Sequence, residues 1–327
     1  MVFLFRDKSF FNLLFLAILS LVVHLHFFFL PPVVLIAESD GLFSLLIQRY
    51  FTGINAPFLF ILYLVTLLVQ AIRLNMLLIE LKMFPKSGYT VGMTYILLSG
   101  LIAPWCAITP ALFANFLLIW LFIKITRLYN QPSPKNTLFN IGLIIGTAVV
   151  CYHPTAIMMI VVLFSLAIIR PFKLQEWFVL LMSIVLPYYF LGGWLFLNDQ
   201  LGSLGHYLPH IALLVPSVKM DAVFIAAISL IVVGFVAGFI CWQQFNSRLV
   251  IQIRKNWSAM LLLCLILLAV PFIFQEAGIQ AAFMCIVPMS VFISNAFSFP
   301  KRLIFPNLLF WLMLGAVLYN NWQMIKI

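Results

Sequence analysis

Few residues of this chain could do chemistry, and they stand well apart. Glu38-Ser39-Asp40 sets two carboxylates within three positions, directly before Gly41. Such a pair could hold a divalent cation (Mg or Mn) together with phosphate oxygens, or one member could serve as a general base. Gly41 leaves the backbone free to place Asp40. Arg49 is the nearest cation after the pair. His153, between Tyr152 and Pro154, reads as an imidazole on a turn, where it could meet an anionic group. His206 and His210 are four apart and would share a helix face, but Pro209 weakens that helix. Two ligands also fall short of a zinc site, so hydrogen bonding to a phosphate or headgroup suits them better. His24 and His26 would project about 200° apart on a helix, too far round to share a ligand easily, and at least one should hydrogen-bond inside the fold. For each of these residues the plainer alternative is a polar surface at the level of lipid headgroups. Phosphate-binding glycine loops, GxSxG elbows and HExxH pairs are missing, and so are the HxxxH and HxxHH clusters of membrane di-iron oxygenases.

The elements that must position these residues are apolar. The chain is 65% hydrophobic and 8% charged, with a mean hydropathy of +1.18. A soluble domain carries roughly a quarter charged residues, so this chain lacks the polar surface to cover a water-exposed core. Recurring apolar runs point to an all-α polytopic membrane protein, one integral domain over 1–327 with no soluble domain. The expected spans are 10–30, 57–79, 90–103, 111–125, 138–151, 155–169, 177–197, 222–241, 259–274, 281–297 and 304–319. That makes eleven, or ten if one of the short-armed hairpins is re-entrant. Two long outer loops, 31–56 and 198–220, separate them, and Leu42, Phe43, Leu45, Leu46 and Ile47 suggest a short interfacial helix in the first. The run after Arg6 and Lys8 is of spanning length and reads as a retained helix rather than a cleaved signal.

Charge orients the layout. Arg6, Lys8, Arg73, Lys82, Lys86, Lys124, Arg127, Lys135, Arg170, Lys173, Arg248, Arg254, Lys255, Lys301 and Arg302 fall on one side, while only Arg49, Lys219 and Lys326 fall on the other. By the positive-inside rule the first side is cytoplasmic, and it holds the N-terminus. Glu38, Asp40, Asp199, Asp221, Glu276 and the histidines then lie outside or in the outer half of a span. The basic residues come in ones and twos at helix ends and form no stripe for nucleic acid. The five cysteines form no CxxC pair and read as packing residues, although Cys106 and Cys151 are both placed where one outer disulfide could form.

Phe139-Asn140-Ile141-Gly142, Cys151-Tyr152-His153-Pro154, Leu186-Pro187-Tyr188-Tyr189 and above all Arg170-Pro171-Phe172-Lys173-Leu174-Gln175-Glu176-Trp177 carry a resemblance. Over most of its length the chain resembles an uncharacterised polytopic inner-membrane family of Bacteroidota, often mislabelled as a carotene monooxygenase. The histidine set and propeller strands that such an oxygenase needs are missing. The resemblance implies a bacterial inner-membrane setting and no particular activity. In layout the chain also looks like membrane glycosyltransferases of the C-type fold, with a first span, an acidic outer loop, an interfacial helix and many further spans. That likeness implies a polyprenyl-phosphate-linked sugar as substrate. It also implies Asp40 or Glu38 as base or metal ligand, and His153 or Arg49 at the phosphate. In this chain the acidic pair lies about eight residues beyond the first span, and no Asp-Asp or Asp-Glu doublet occurs. Two other readings stay open: a non-catalytic membrane subunit of an envelope or secretion assembly, suited by 34 Phe residues for packing against partner helices, and a transporter. A transporter would show internal repeats and ionisable groups at mid-membrane, which do not stand out here.

Overall fold

A computed structural model of the chain describes all residues except 8, 37–40, 52, 130, 210, 212–219, 275–277 and 327. The described residues are overwhelmingly helical, and an isolated parallel bridge joins Val34 and Ile108. In chain order the helices are α1 (Val2–Arg6), α2 (Phe10–Val23), α3 (Leu42–Phe51), α4 (Ala56–Glu80), α5 (Thr90–Ser99), α6 (Pro110–Thr126), α7 (Lys135–Cys151), α8 (Ile157–Ile169), α9 (Leu174–Leu197), α10 (Ala222–Asn246), α11 (Ile251–Leu267), α12 (Val270–Ile273), α13 (Gly278–Ala281), α14 (Ile286–Ser298) and α15 (Ile304–Lys326). Six helical stretches are long and apolar enough to cross a bilayer: Ala56–Glu80, Leu174–Leu197, Ala222–Asn246, Ile251–Ile273, Gly278–Ser298 and Ile304–Ile325. Five shorter apolar helices accompany them, among them the arms of the two hairpins expected around 104 and 153. The chain is therefore a helical, multi-pass membrane protein.

Several boundaries differ from the sequence expectation, among them those of the first helix, which ends at Val23 rather than at 30, and of the last and the 259–274 helices, where the physical reason is visible. The last helix was expected to stop at 319 but runs on to Lys326. Asn320 and Asn321 do not end it, because they turn inward and donate to the carbonyls of Gly100 (3.3 Å) and Val23 (2.8 Å). The helix expected from 259 begins at Ile251 and carries Arg254 and Lys255 in its first turns. Lys255 extends to the carbonyl of Ile169 (3.0 Å) and lies over the Tyr129 ring, so its charge leaves the apolar core.

Small residues let the helices approach closely. Gly142 and Gly146, one turn apart on α7, sit against α9, where a Cβ on Gly142 would lie 2.7 Å from the carbonyl oxygen of Leu180 and one on Gly146 would strike that of Ile184. Gly238 of α10 abuts the backbone of Phe292 on α14 in the same manner. Lipid tails are as apolar as leucine, so such close van der Waals packing, rather than exclusion from water, drives these contacts. α5 is wrapped on every side, with all ten of its residues buried.

The connecting segments gather into two groups. At one end, Arg6 donates to the carbonyls of Phe297 and Pro300 (both 2.8 Å), Tyr89 N–H donates to Phe5 O (2.6 Å), and Phe84 packs on Trp257 and Phe299. Arg170, almost buried there, forms a fork with Glu176 (3.1 and 3.3 Å) and donates to the carbonyls of Leu128 (3.0 Å) and Gln131 (2.7 Å). At the other end, Tyr63 OH donates to Trp105 O (3.0 Å) and the Trp105 indole donates to Ile279 O (3.1 Å), while α15 holds Val23 and Gly100 as described above. The turns around Arg6 and Arg170 thus lie at one end of the bundle and those around Trp105 and Gly100 at the other.

Candidate functional site

The segment between α2 and α3 meets both hairpin turns, through Leu35 and through Gly41. Leu35 N–H donates to Ile108 O (3.1 Å) and Ile108 N–H donates to Val33 O (3.0 Å), tying the segment to the turn between α5 and α6. Six positions after Leu35, Gly41 is buried against the end of α7. A Cβ there would lie 2.8 Å from the Val150 oxygen and 2.9 Å from that of Cys151, and its φ of +95° is one that L side chains rarely adopt. Glycine is therefore required both by space and by backbone conformation. The Ser44 hydroxyl donates to Gly41 O (2.6 Å), closing the first turn of α3 onto this contact. A short helix does form where one was expected from Leu42 to Ile47: α3 packs on α6 and α7 with Ser44 and Ile47 inward and Leu45, Leu46 and Tyr50 outward. Phe43 and Phe51 both meet the Phe113 ring edge-on.

Two residues beyond Cys151 the chain turns through a short 3-10 helix, His153–Ala156. His153 is buried in it, and the Thr155 hydroxyl donates to Tyr152 O (2.7 Å), fixing the turn that carries the imidazole. The segment between α2 and α3 and the His153 turn are therefore neighbours through Gly41, although they are more than a hundred positions apart in sequence.

The other expected residues fall as follows. Glu38, Asp40 and His210 lie outside the described residues. Arg49 is exposed near the end of α3, with its guanidinium 5.8 Å from the Tyr50 ring centre. His206 is exposed on a 3-10 helix, Leu201–Tyr207, which is tied to α9 through Tyr188 OH and Tyr207 O (3.2 Å). No group of three His, Cys, Asp or Glu residues able to hold a metal occurs among the described residues. Cys106 and Cys151 are both free thiols, so the outer disulfide that the sequence allowed is not formed.

His24 and His26 depart from the helical expectation. The first helix ends at Val23 and the chain tightens into a 3-10 turn, which leaves both rings buried with their centres 6.2 Å apart. His24 Nδ1 bonds to Ser20 O (3.0 Å), which meets the expectation of one internal hydrogen bond, and the ring lies edge-on to Tyr63.

Sequence inspection missed a polar chain deep in the bundle. Tyr95 OH donates to Gln70 Oε1 (2.7 Å), Gln70 Nε2 donates to Leu112 O (2.6 Å), and Asn115 Nδ2 donates to Tyr95 OH (3.1 Å) and to Phe283 O (3.4 Å). All three side chains are fully buried, so the chain locks α4, α5 and α6 together. Gln70 and Asn115 inside apolar runs were the signal that could have revealed it.

No protein-family profile, curated protein or solved structure matches the chain.

Proposed function

We propose that the chain is a glycosyltransferase-like protein of the bacterial inner membrane, acting on a polyprenyl-phosphate-linked sugar at the outer leaflet in envelope glycan or glycoprotein synthesis. In this reading the six long helices and the five shorter apolar ones make eleven crossings, with the N-terminus and the basic turns in the cytoplasm. Asp40 is the base that takes the acceptor's proton, Glu38 supports it, and His153 with Arg49 meets the donor phosphate. His206 and His210 in the second outer segment contact the phosphate or headgroup. A divalent ion, if the reaction uses one, would rest on Glu38, Asp40 and the phosphate oxygens, the type of oxygen-donor set that Mg favours.

The observation that carries this reading is the seat of Gly41 on the end of α7. Asp40 is one peptide bond from Gly41, and His153 follows two positions after Cys151, whose carbonyl Gly41 touches. A carboxylate base and a phosphate-facing imidazole need that kind of proximity, since a base must reach its proton directly or through one water. The test is the envelope glycan profile of cells that carry Asp40→Asn or Glu38→Gln as the only copy. Loss of a glycan product with normal membrane insertion is expected, whereas unchanged glycans in both variants would exclude the reading.

A non-catalytic membrane subunit is the second reading, and one observation favours it. The spanning windows of α9 and α10 are each only 22% buried, so both helices leave broad apolar faces for partner helices. Purification in mild detergent would then recover a stoichiometric partner.

A further inference from the structure

At the basic end, residues 132–135 and 173–176 enclose an open cleft of about 350 Å³ between the starts of α7 and α9. Lys135 and Lys173 stand at its rim, both exposed and neither with a carboxylate partner among the described residues. The one acid in the lining, Glu176, is buried and already held by the Arg170 fork, so the cleft keeps an excess positive charge. Ser133 and Gln175 add a hydroxyl and an amide. No side chain caps the first turn of either helix, which leaves backbone N–H groups available beside the two ammonium groups.

What lies beside the cleft identifies the ligand. Phe172 and Leu174 at its edge are 70% and 73% exposed. Phe178, Met182 and Val185 continue down one exposed face of α9, and Phe139 of α7 is also exposed. This apolar face starts at Leu174, which also lines the cationic pocket. Acyl chains would cover the face while a phosphate occupies the pocket, and basic pockets between spanning helices on the cytoplasmic side bind anionic headgroups in this way. We infer that the cleft between α7 and α9 is a binding site for the phosphate of an anionic phospholipid, with Lys135 and Lys173 as its principal ligands. In the orientation proposed above, that lipid belongs to the cytoplasmic leaflet. The site is separate from the outer segments and would hold whichever chemistry they perform.

The experiment is native mass spectrometry of the full chain, titrated in detergent with phosphatidylglycerol. The wild type is compared with Lys135→Gln/Lys173→Gln and with Lys301→Gln/Arg302→Gln, a control pair at another basic turn. Binding about thirty-fold weaker in the first pair and nearly unchanged in the control is expected, since each cation near the surface contributes about a five-fold factor. Equal losses in both pairs, or none in either, would overturn the site. Thermal unfolding with inorganic phosphate alone separates the two phosphate sources: no stabilisation is expected, and stabilisation equal to that by the lipid would overturn the lipid assignment. If the double variant does not purify as a single species, Lys173→Gln alone should show about a five-fold loss, and wild-type affinity there would contradict the proposal.

Discussion

At the residue scale, the side chains that fix the outer segment differ in kind from those proposed to react. Gly41 has no side chain, yet space and φ together forbid any other residue there. Gly41→Ala should destabilise the fold by about 1–3 kcal/mol and reduce glycan formation, because the new methyl must push the segment off the Val150 and Cys151 carbonyls. Thermal unfolding with a glycan profile checks both effects. Arg170→Ala leaves the buried Glu176 without its cation and should cost about 3–5 kcal/mol in thermal unfolding of the detergent-purified protein. Arg170→Lys should rescue it poorly, since a single ammonium cannot reproduce the fork and the two carbonyl bonds. The sequence made His153 legible, because a histidine before proline between apolar runs marks a turn. It could not show that Gly41 touches the preceding helix, since that contact joins segments more than a hundred residues apart.

At the element scale, the periodicity of a lipid-spanning helix is weak, and boundaries had to be read from charge and proline. That served well for the hairpins at 104 and 153, where Pro104 and Pro154 open the 3-10 turns. It failed at α15, which continues past the expected end at 319 because Asn320 and Asn321 are spent on interior carbonyls. The close pairing of α7 with α9 was visible only as two glycines one turn apart. Gly146→Val should separate these helices, because the carbonyl of Ile184 and the ring of Pro187 occupy the space its side chain needs. A loss of about 1–3 kcal/mol is expected in detergent unfolding. An exposed glycine with open space around it, Gly193, should accept alanine without loss.

At the scale of the whole molecule, the distribution of charge was the most legible property. It sorted the turns into two groups, and the contacts of Arg6, Arg170 and Lys255 gather the basic turns at one end, away from those of Tyr63, Trp105 and Gly41. Single cysteines at Lys135 and His206, with the five native cysteines replaced, should label from opposite sides of intact cells. Reaction of both from outside would refute the proposed orientation. The positions of the acidic pair and of His210 fall outside the described residues, so their part in the site rests on their neighbours in sequence.

In the proposed function a lipid-linked phosphate sits where the segment before α3 meets the His153 turn. Photocrosslinking of the purified full chain with a diazirine-bearing polyprenyl phosphate, mapped by peptide mass spectrometry, addresses it directly. The expected result is label confined to peptides covering 31–56 and 150–156 and diminished by His153→Ala. Label spread along the exposed faces of α9 and α10 and insensitive to that substitution would contradict it.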